Sequence, residues 1–277
     1  MPNSDPRTVA GFGEEWTAFD QRKLPEAALL FAQYFNVFPW EQLPADARGF
    51  DLGCGSGRWA LFVSERVGKL YCIDASESAL AVARANLQHR TNCEFCHASV
   101  DAIPLPDSSM DFGYSLGVLH HVPNTRRGMA SCVTKLKPGA PFLVYLYYAF
   151  DNRPRWFRTL WVMSDLFRRF VARLPFRARK LVTDVIAGLI YWPIARTALL
   201  LEKMGFAKLI KHMPLSPYRY RSFYSMRTDS LDRFGTRLEH RFTAAEIRRM
   251  MEDSGLENIQ ISTNEPFWCA VGRKRSG

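Results

Sequence analysis

Three glycines at alternate positions, Gly53, Gly55 and Gly57, constrain the fold of this chain more than any other feature. They follow a strand-like segment that ends at Asp51-Leu52, and a helical pattern covers residues 59–67. Glycines between a strand and a helix let the backbone approach a ligand closely, with the amides of the helix N-terminus behind them. The G-x-G-x-G spacing differs from the G-x-G-x-x-G of dinucleotide sites, and no Gly-Lys-Ser/Thr is present to hold a triphosphate. The loop therefore indicates a ligand site of another kind.

Strands and helices alternate regularly after Arg48. Further strands are predicted at residues 69–73, 94–98, 110–116 and 141–148, with helices from Ser76 to about His89 and over 126–136. A late helix over 244–254, in which Thr243 and Glu246 form a capping-box pattern, precedes two strands at 258–263 and 267–272. This alternation predicts an α/β fold, with a doubly wound, mostly parallel sheet covered by helices on both faces.

The regular alternation breaks at about residue 150. Arginines and aromatic residues crowd together from there to residue 222, around a leucine-rich helical stretch. The sequence therefore predicts three parts: a helical N-terminal segment over 1–45, a core formed by 46–150 and 223–277, and a basic, aromatic, α-helical insertion over 151–222 that follows the fifth strand.

Further residues at the predicted strand ends extend the glycine loop into a family pattern. Asp74-Ala75 ends the second strand, Ser99-Val100-Asp101 ends the third, and Leu116 ends the fourth shortly before Leu119-His120-His121. With these residues the chain resembles the class I S-adenosylmethionine-dependent methyltransferases, in particular the small-molecule methyltransferase group. The resemblance is close over about 50–148, loose over the last helix and hairpin, and absent over 151–222. It implies a seven-stranded, Rossmann-like sheet.

The resemblance also implies S-adenosylmethionine as cofactor and S-adenosylhomocysteine as product. It places Asp74 on the ribose hydroxyls, Ala75 beside the adenine and Asp101 at the adenine amino group. Asp51 would order the glycine loop or meet the cofactor's ammonium group. Carboxylates suit these roles because they accept hydrogen bonds, although each acid alone could equally cap a strand end. The implied cofactor-binding residues are Asp51, Gly53, Cys54, Gly55, Gly57, Asp74, Ala75, Ser99, Val100, Asp101 and Leu116.

Methyl transfer from a sulfonium is an in-line displacement, which depends chiefly on holding acceptor and methyl group in position. A hydroxyl acceptor gains from a general base, whereas an unprotonated amine does not. His120 and His121 are the catalytic candidates, with a cofactor-lining or structural role as the alternative; His240 is a weaker one. Cys93, Cys96 and His97 have the spacing of half a zinc site, but no second pair follows and the segment is a predicted strand, so no metal is predicted.

The charge of the chain, with 37 Lys and Arg against 27 Asp and Glu, is concentrated in the insertion. Residues 151–222 contain 15 basic and four acidic residues, whereas the rest of the chain is nearly balanced. An insertion at this point of the fold is expected to cover the acceptor entrance. Its arginines, Arg219 and Arg221 together with the nearby Arg227, could bind an anionic acceptor. Its aromatic and basic helices could instead lie on an anionic membrane or bind RNA, or form a cap with solvated charges.

Residues just after the insertion are expected to contact the acceptor, and Tyr224, Arg227 and Asp232 are the candidates; a solvated linker is the alternative. Residues 185–195 are predicted to form a buried cap helix. No charge-free run reaches the ~20 residues that a bilayer span needs, and no apolar export segment is seen at the N-terminus. The six cysteines are irregularly spaced and are expected to be reduced thiols. A cytoplasmic protein, or one peripheral at the membrane surface, is predicted.

The predicted function is therefore methyl transfer from S-adenosylmethionine to a hydroxyl or amine of a small molecule. The acceptor would be a sugar, a secondary metabolite or a lipid-linked intermediate, and it could be anionic or lipid-like. An RNA methyltransferase is less favoured, because Ser115-Leu116-Gly117-Val118 stands where many nucleic-acid amino-methyltransferases have Asn/Asp-Pro-Pro-Tyr/Phe. A non-catalytic, cofactor-binding adaptor that uses the basic insertion is the remaining alternative. The sequence makes no prediction of the oligomeric state.

Overall fold

The computed structural model describes residues 2–22, 24–210 and 213–276. Seven strands form one sheet in the order β3-β2-β1-β4-β5-β7-β6. Strands β1 to β5 are parallel to one another, whereas β7 runs antiparallel to both β5 and β6. This confirms the predicted mostly parallel, seven-stranded sheet. The strands are β1 (Arg48–Leu52), β2 (Lys69–Asp74), β3 (Cys93–His97), β4 (Phe112–Leu116), β5 (Pro141–Tyr145), β6 (Leu256–Ile261) and β7 (Cys269–Lys274).

Two compact units make up the chain. The first contains residues 2–22, 27–149 and 238–276, and therefore the whole sheet. Its helices are α1 (Pro6–Ala18), α2 (Ala27–Tyr34), α3 (Ala60–Val63), α4 (Glu77–Asn86), α5 (Thr125–Lys135) and α11 (Ala244–Asp253), the last numbered in chain order. The predicted capping box is present, with Thr243 and Glu246 bonded to each other's backbone N–H. The predicted helix over 59–67 is wrong in length, because regular α-helix covers only the single turn of α3.

The centre of the sheet is closely packed because phenylalanines on β1 and β4 lie over glycines of the neighbouring strand. Gly49 pairs with Phe112 and Phe50 pairs with Gly113 in the parallel register. A methyl group added to either glycine would overlap the facing ring. Both phenylalanines are fully buried, so this exchange of large and small side chains lets two aromatic rings fill one layer of the core.

The second unit contains residues 24–26 and 150–237. It is helical, as predicted for the insertion, but it continues beyond the predicted end at residue 222 and includes all of α10. Its helices are α6 (Arg155–Val171), α7 (Phe176–Ile186), α8 (Trp192–Lys203), α9 (Ala207–Ile210) and α10 (Phe223–Gly235). A π-helical turn, Ala187–Tyr191, joins α7 to α8 into one continuous helix.

Buried polar contacts hold the second unit together around α10. The Arg168 guanidinium donates to the Asp165 carboxylate (2.7 Å) and to the Thr236 carbonyl (2.7 Å). Ser230 Oγ donates to the Thr183 carbonyl on α7 (2.9 Å), and Arg179 donates to the carbonyl of residue 235 (3.2 Å). The six polar residues involved are all buried, and their bonds therefore fix how α6 and α7 pack on α10.

The prediction that residues 185–195 are buried is correct for one face of the helix only. Ala187, Tyr191 and Ala195 are buried, but Leu189 is 74% exposed and Trp192 41% exposed. Among the described residues, one helix, Phe176–Lys203, is long and apolar enough to cross a membrane by length and composition, and 28% of its most apolar window is buried. The sequence criterion, a charge-free run of about 20 residues, did not select this helix because charged residues interrupt it.

Candidate functional site

The glycine loop joins the carboxyl ends of β1 and β2. The N–H groups of Gly53 and Cys54 both donate to the Ile73 carbonyl, at 2.7 and 3.1 Å, and Gly55 N donates to Asp74 Oδ2 at 2.9 Å. Gly53 and Gly55 have positive φ angles of 77° and 54°, a backbone conformation that glycine adopts without strain. The predicted loop residues Gly53, Cys54, Gly55 and Gly57 therefore lie together, directly beside Asp74.

Asp51 lies just before this loop and is 1% exposed. Burial raises the pKa of its carboxyl to about 8; the neighbouring Tyr114 hydroxyl, on β4, lowers it only in part. Its Oδ2 accepts no hydrogen bond from the described residues. A buried carboxyl with an unused acceptor is stabilised in its charged form by a cation, so Asp51 is suited to meet a positively charged group.

Asp74, at the end of β2, is half-buried and has both oxygens directed to backbone amides. Oδ2 accepts from Gly55 N and Oδ1 from Ser76 N (2.8 Å). Burial raises the pKa of Asp74, although these backbone N–H groups favour the charged form. Ala75 follows, and its carbonyl lies 2.9 Å from His97 Nε2. A carboxylate oxygen can accept more than one hydrogen bond, so Asp74 can also receive hydroxyl donors.

Asp101 follows β3 and is held by groups from elsewhere in the first unit. Asn3 N donates to its Oδ2, and Arg127 Nη2 lies 3.2 Å from its Oδ1. The Asn3 side chain bonds in turn to the backbone of Asn124, at 2.7 and 2.9 Å. Val100, the preceding residue, is buried. The N-terminal segment thus fixes the end of the third strand, a contact that the sequence pattern did not predict.

Helix α1 lies against the glycine loop and the start of α4. A methyl group at Gly13 would come within 2.6 Å of Ser76 Oγ, and one at Gly55 would come within 2.9 Å of the Trp16 ring. Arg58 also lies over the Trp16 ring, 5.7 Å from its centroid. Sequence reasoning assigned α1 only to a helical N-terminal segment. The glycine and aromatic residues in that segment, Gly13 and Trp16, were the only signal of a role at this site.

His120 and His121 lie in a short 3-10 turn after β4, not on the strand itself. Both are buried, His120 completely. The His120 ring stacks on Tyr147 with 4.0 Å between centroids, and neither of its nitrogens is hydrogen-bonded to a described residue. Burial lowers its pKa well below the ordinary value, so the ring is neutral at pH 7. His121 Nδ1 lies 2.7 Å from the Leu238 carbonyl, and its ring lies 4.9 Å from that of Phe12 on α1.

Two more predicted residues of the first unit, Leu116 and His240, lie near the turn at the end of β4. Leu116 is buried, and the next residue, Gly117, has open space where a side chain would lie. The backbone N–H of His240, the weaker catalytic candidate, donates to the His120 carbonyl at 2.9 Å. The structure thus brings His120, His121 and His240 into one cluster. Their catalytic roles stay predictions.

Tyr224, Arg227 and Asp232 lie on α10, in the second unit. The Arg227 guanidinium pairs with both oxygens of Asp184, at 2.8 and 2.9 Å. Burial opposes ionisation of Asp184, but the hydrogen bonds from Arg227 and Lys180 outweigh it and lower the pKa. In the same way Arg219 makes two 3.0 Å contacts with Glu202. These arginines hold helices together in the structure, and their acceptor roles stay predictions, as do those of Tyr224 and Asp232.

The cysteines form no disulfide: all six are free thiols, as expected. Cys93 and Cys96 lie on β3. Across residues 2–22, 24–210 and 213–276, no group of three or more His, Cys, Asp or Glu side chains is placed to hold a metal ion.

Comparison with known proteins agrees with this geometry. Residues 50–144 match the family model of a methyltransferase domain. A methyltransferase from Thermotoga maritima, described as S-adenosylmethionine-dependent, superimposes with a TM-score of 0.54 at 14% identity, over 97% of this chain and 100% of that one. This chain contains a class I S-adenosylmethionine-dependent methyltransferase domain. The residues matched by the family model include the glycine loop, Asp51, Asp74 and Asp101.

The curated relatives share the methyltransferase domain over part of their length. The chain is 27% identical over 130 residues to the sterol 4-C-methyltransferase of Caenorhabditis elegans, which covers 46% of this chain and 38% of that protein. It is 33% identical over 127 residues to the demethylmenaquinone methyltransferase of Shouchella clausii, which covers 39% of this chain and 54% of that protein. The aligned segments thus span about half or less of these relatives.

The cofactor of the methyltransferase domain is S-adenosylmethionine, and the residues present fit it. Asp51 offers a buried acceptor to an ammonium group, and Asp74 offers carboxylate oxygens to a ribose diol. The glycines of the loop carry no side chains, so a ligand can approach the loop backbone closely. No diphosphate has to be neutralised, which agrees with the acidic character of the site.

Proposed function

We propose that this chain transfers a methyl group from S-adenosylmethionine to a hydroxyl or amine of a small-molecule acceptor. The observation that carries the proposal is the buried Asp51 carboxyl, with a pKa of about 8 and an unused oxygen, beside a glycine loop that Asp74 holds in place. A neutral ligand would leave this carboxyl protonated, whereas a cationic ligand favours its ionised form. The amino-acid end of S-adenosylmethionine supplies the cation that it lacks.

The bound cofactor supplies an electrophilic methyl group on a sulfonium, and the protein's contribution is mainly to orient the two reactants. Asp51 and Asp74 hold opposite ends of the cofactor. The open space at Gly117 Cα, next to the end of β4, leaves room for the reacting groups. On α1, Trp16 lies against the glycine loop and Phe12 contacts the ring of His121.

A histidine of the β4 turn accepts the proton when the acceptor is a hydroxyl. Neutral His121 donates from Nδ1 to the Leu238 carbonyl, so that Nε2 is its proton-accepting atom. His120 is neutral at pH 7 because burial lowers its pKa. Stacking on Tyr147 fixes the orientation of the His120 ring, and therefore the directions in which its two nitrogens point.

The acceptor in this proposal is anionic or lipid-like, and the protein acts in the cytoplasm or at the membrane surface. Two relatives, a sterol 4-C-methyltransferase and a demethylmenaquinone methyltransferase, support an acceptor of apolar character. The second unit supports it further, because it combines basic with exposed apolar residues. No nucleic-acid partner is part of the proposal.

Calorimetry with S-adenosylhomocysteine tests the cofactor site. The wild-type chain is expected to bind it with micromolar affinity, and Asp74→Asn and Gly55→Val are expected to abolish binding. Asp107→Asn is the matched control, because Asp107 is an exposed acid of the same unit. Transfer of a labelled methyl group from S-adenosylmethionine to a component of a cell extract then tests the activity. A wild-type chain that binds no S-adenosylhomocysteine would refute the proposal.

A further inference from the structure

The exposed apolar residues of this protein are concentrated in the second unit. Of 19 large apolar side chains that are exposed among the described residues, 18 lie between residues 156 and 223, and only Leu29 lies in the first unit. Scattered exposed leucines are ordinary on a protein surface, but a concentration of this kind marks an interaction surface. The two faces that provide most of it belong to α6 and to the continuous helix α7–α8.

Helix α6 has one outward apolar stripe. Trp156, Leu160, Met163, Phe167 and Phe170 follow one another at intervals of four and three residues, which places them on the same side of an α-helix. Each is between 47% and 66% exposed. The opposite side packs inside the unit through Asp165, Arg168 and Val171, which are buried. The apolar side chains of α6 thus lie mainly on its exposed side, whereas its buried side includes the ion pair of Asp165 and Arg168.

The continuous helix α7–α8 has a second outward stripe. Leu181, Val185 and Leu189, spaced by four residues, are 48–74% exposed, and Leu200 is 59% exposed. The inner side carries polar groups along the same length.

Those inner polar groups argue against a helix that crosses a bilayer. Asp184 pairs with Arg227, Tyr191 OH donates to Asp229 (3.0 Å), and Arg196 donates to backbone carbonyls of residues 219 and 221 (2.9 and 3.1 Å). A spanning helix would carry these groups into hydrocarbon, where they are costly. A helix that lies at the surface keeps them packed on its own unit.

The charge around these stripes is positive. The acids Asp165, Asp184 and Glu202 are each paired with basic residues of the same unit. Six further basic side chains are exposed, at Arg155, Arg158, Arg173, Arg177, Lys203 and Lys208. Because the acids are used internally, they do not offset the exposed basic groups. Aliphatic and aromatic side chains bordered by Arg and Lys are typical of helices that bind the interface of an anionic membrane.

We propose that the outward faces of α6 and α7–α8 bind the surface of an anionic lipid bilayer. The apolar stripes enter the boundary between headgroups and acyl chains, and the bordering basic residues contact anionic headgroups. This inference deepens the membrane contact in the proposed function by assigning it to two helix faces and to anionic lipid. RNA would use the basic residues but would leave the aliphatic stripes exposed to water.

Vesicle flotation tests the proposal with the full chain. Vesicles of phosphatidylcholine and phosphatidylglycerol in equal parts are compared with vesicles of phosphatidylcholine alone. The chain is expected to float with the anionic vesicles and to bind the neutral ones at least about tenfold more weakly. Met163→Glu with Phe170→Glu, and separately Leu181→Glu with Leu189→Glu, are each expected to reduce binding about tenfold or more, because a charge replaces an inserted apolar group.

Matched controls separate this effect from a general loss of structure. Leu29→Glu alters the exposed leucine of the first unit and is expected to leave flotation unchanged. Arg155→Gln with Arg158→Gln should weaken anionic binding about tenfold, whereas Arg249→Gln, on the exposed side of α11, should have no effect. Each variant must keep the circular dichroism spectrum and thermal unfolding of the wild type, so that this control does not depend on the methyltransferase proposal.

Four outcomes would overturn the proposal. One is a wild-type chain that floats with neither vesicle although it binds S-adenosylhomocysteine. The second is equal loss of binding in Leu29→Glu. The third is a dimer in solution that the Met163→Glu, Phe170→Glu variant converts to a monomer without any vesicle binding, because the stripes would then join two copies of the chain. Steep, salt-sensitive binding of RNA in place of vesicles would overturn it as well.

Discussion

The stability of the folded chain is expected to depend on pH through one residue, Asp51. Its pKa is raised from the ordinary 3.8 to about 8 by burial, so between these values the folded chain holds a proton that the unfolded chain releases. The stabilisation is therefore complete below the lower value and is lost as pH rises through about 8. The ligand-free wild type should lose stability over this window relative to Asp51→Asn. Denaturant unfolding of both proteins across the window measures the difference.

The same residue predicts that cofactor binding is coupled to proton release. A cationic amino group favours ionised Asp51, so the affinity for S-adenosylhomocysteine should rise as pH approaches 8 and then level off. Calorimetry in buffers of different ionisation enthalpy measures the protons released. Asp51→Asn should bind more weakly and release none through this group. A variant that keeps both the wild-type affinity and the wild-type proton release would contradict the assignment of the cation to Asp51.

At the scale of residues, the sequence could predict which residues follow the strand ends, but not which side chains surround each of them in the fold. The glycines and acids were predicted from their spacing after strands, because backbone conformation and strand ends follow local pattern. The raised pKa of Asp51 depends on how deeply its carboxyl is buried, and Tyr114, 63 positions away on β4, lowers that pKa only in part. The pairing of Arg227 with Asp184 likewise depends on the packing of α10 against α7. Such tertiary contacts leave no mark in a local pattern.

At the scale of elements, the contact between α1 and α4 predicts a reversal of the usual effect of glycine replacement. Replacing a helical glycine by alanine normally stabilises a protein, by about 1 kcal/mol. Alanine at Gly13 would instead press on Ser76 Oγ, which caps α4 by accepting from Ala79 N at 3.3 Å. Loss of that cap and displacement of α1 should make Gly13→Ala less stable by roughly 1 kcal/mol.

Gly188, in the π turn, provides the comparison for Gly13. Nothing lies within 4 Å of the position that its Cβ would take. Gly188→Ala should therefore gain the ordinary stabilisation, roughly 0.5–1 kcal/mol. Urea unfolding followed by circular dichroism compares the two variants. If Gly13→Ala were as stable as Gly188→Ala, the close contact of α1 with α4 would be wrong.

The elements of the sheet were predicted more accurately than those of the second unit, for a physical reason. Buried parallel strands are short apolar runs separated by turns, and their limits agree with the structure to within a few residues. A helix of mixed arginines and aromatic residues gives no such signal of which side is buried. For residues 185–195 the apolar character was evident, but only the packing of Tyr191 and Ala195 against the rest of the unit shows which side faces outward.

For the whole molecule, the uneven charge predicts that salt separates its two binding activities. The excess of basic residues lies in 151–222, and the rest of the chain is nearly balanced. Raising ionic strength from about 0.05 to about 0.5 M shortens the screening distance severalfold. Binding to anionic vesicles should then fall steeply, whereas the affinity for S-adenosylhomocysteine should change little, because Asp51 is buried. Flotation and calorimetry over the same salt series check this. A parallel fall of both would count against separate sites.

The π turn at Ala187–Tyr191 also limits how the gene for such a chain can change in length. Thr183, Ala187, Tyr191 and Ala195 are buried at steps of four residues, although a regular helix drifts by about 40° at each such step. The wider turn absorbs part of that drift and keeps the four residues on one side. Deleting a single codon from the regular α-helix that precedes this turn would rotate the following helix by about 100° and turn Tyr191 and Ala195 outward. Natural relatives that share this helix should therefore tolerate substitutions in it more readily than one-residue insertions or deletions.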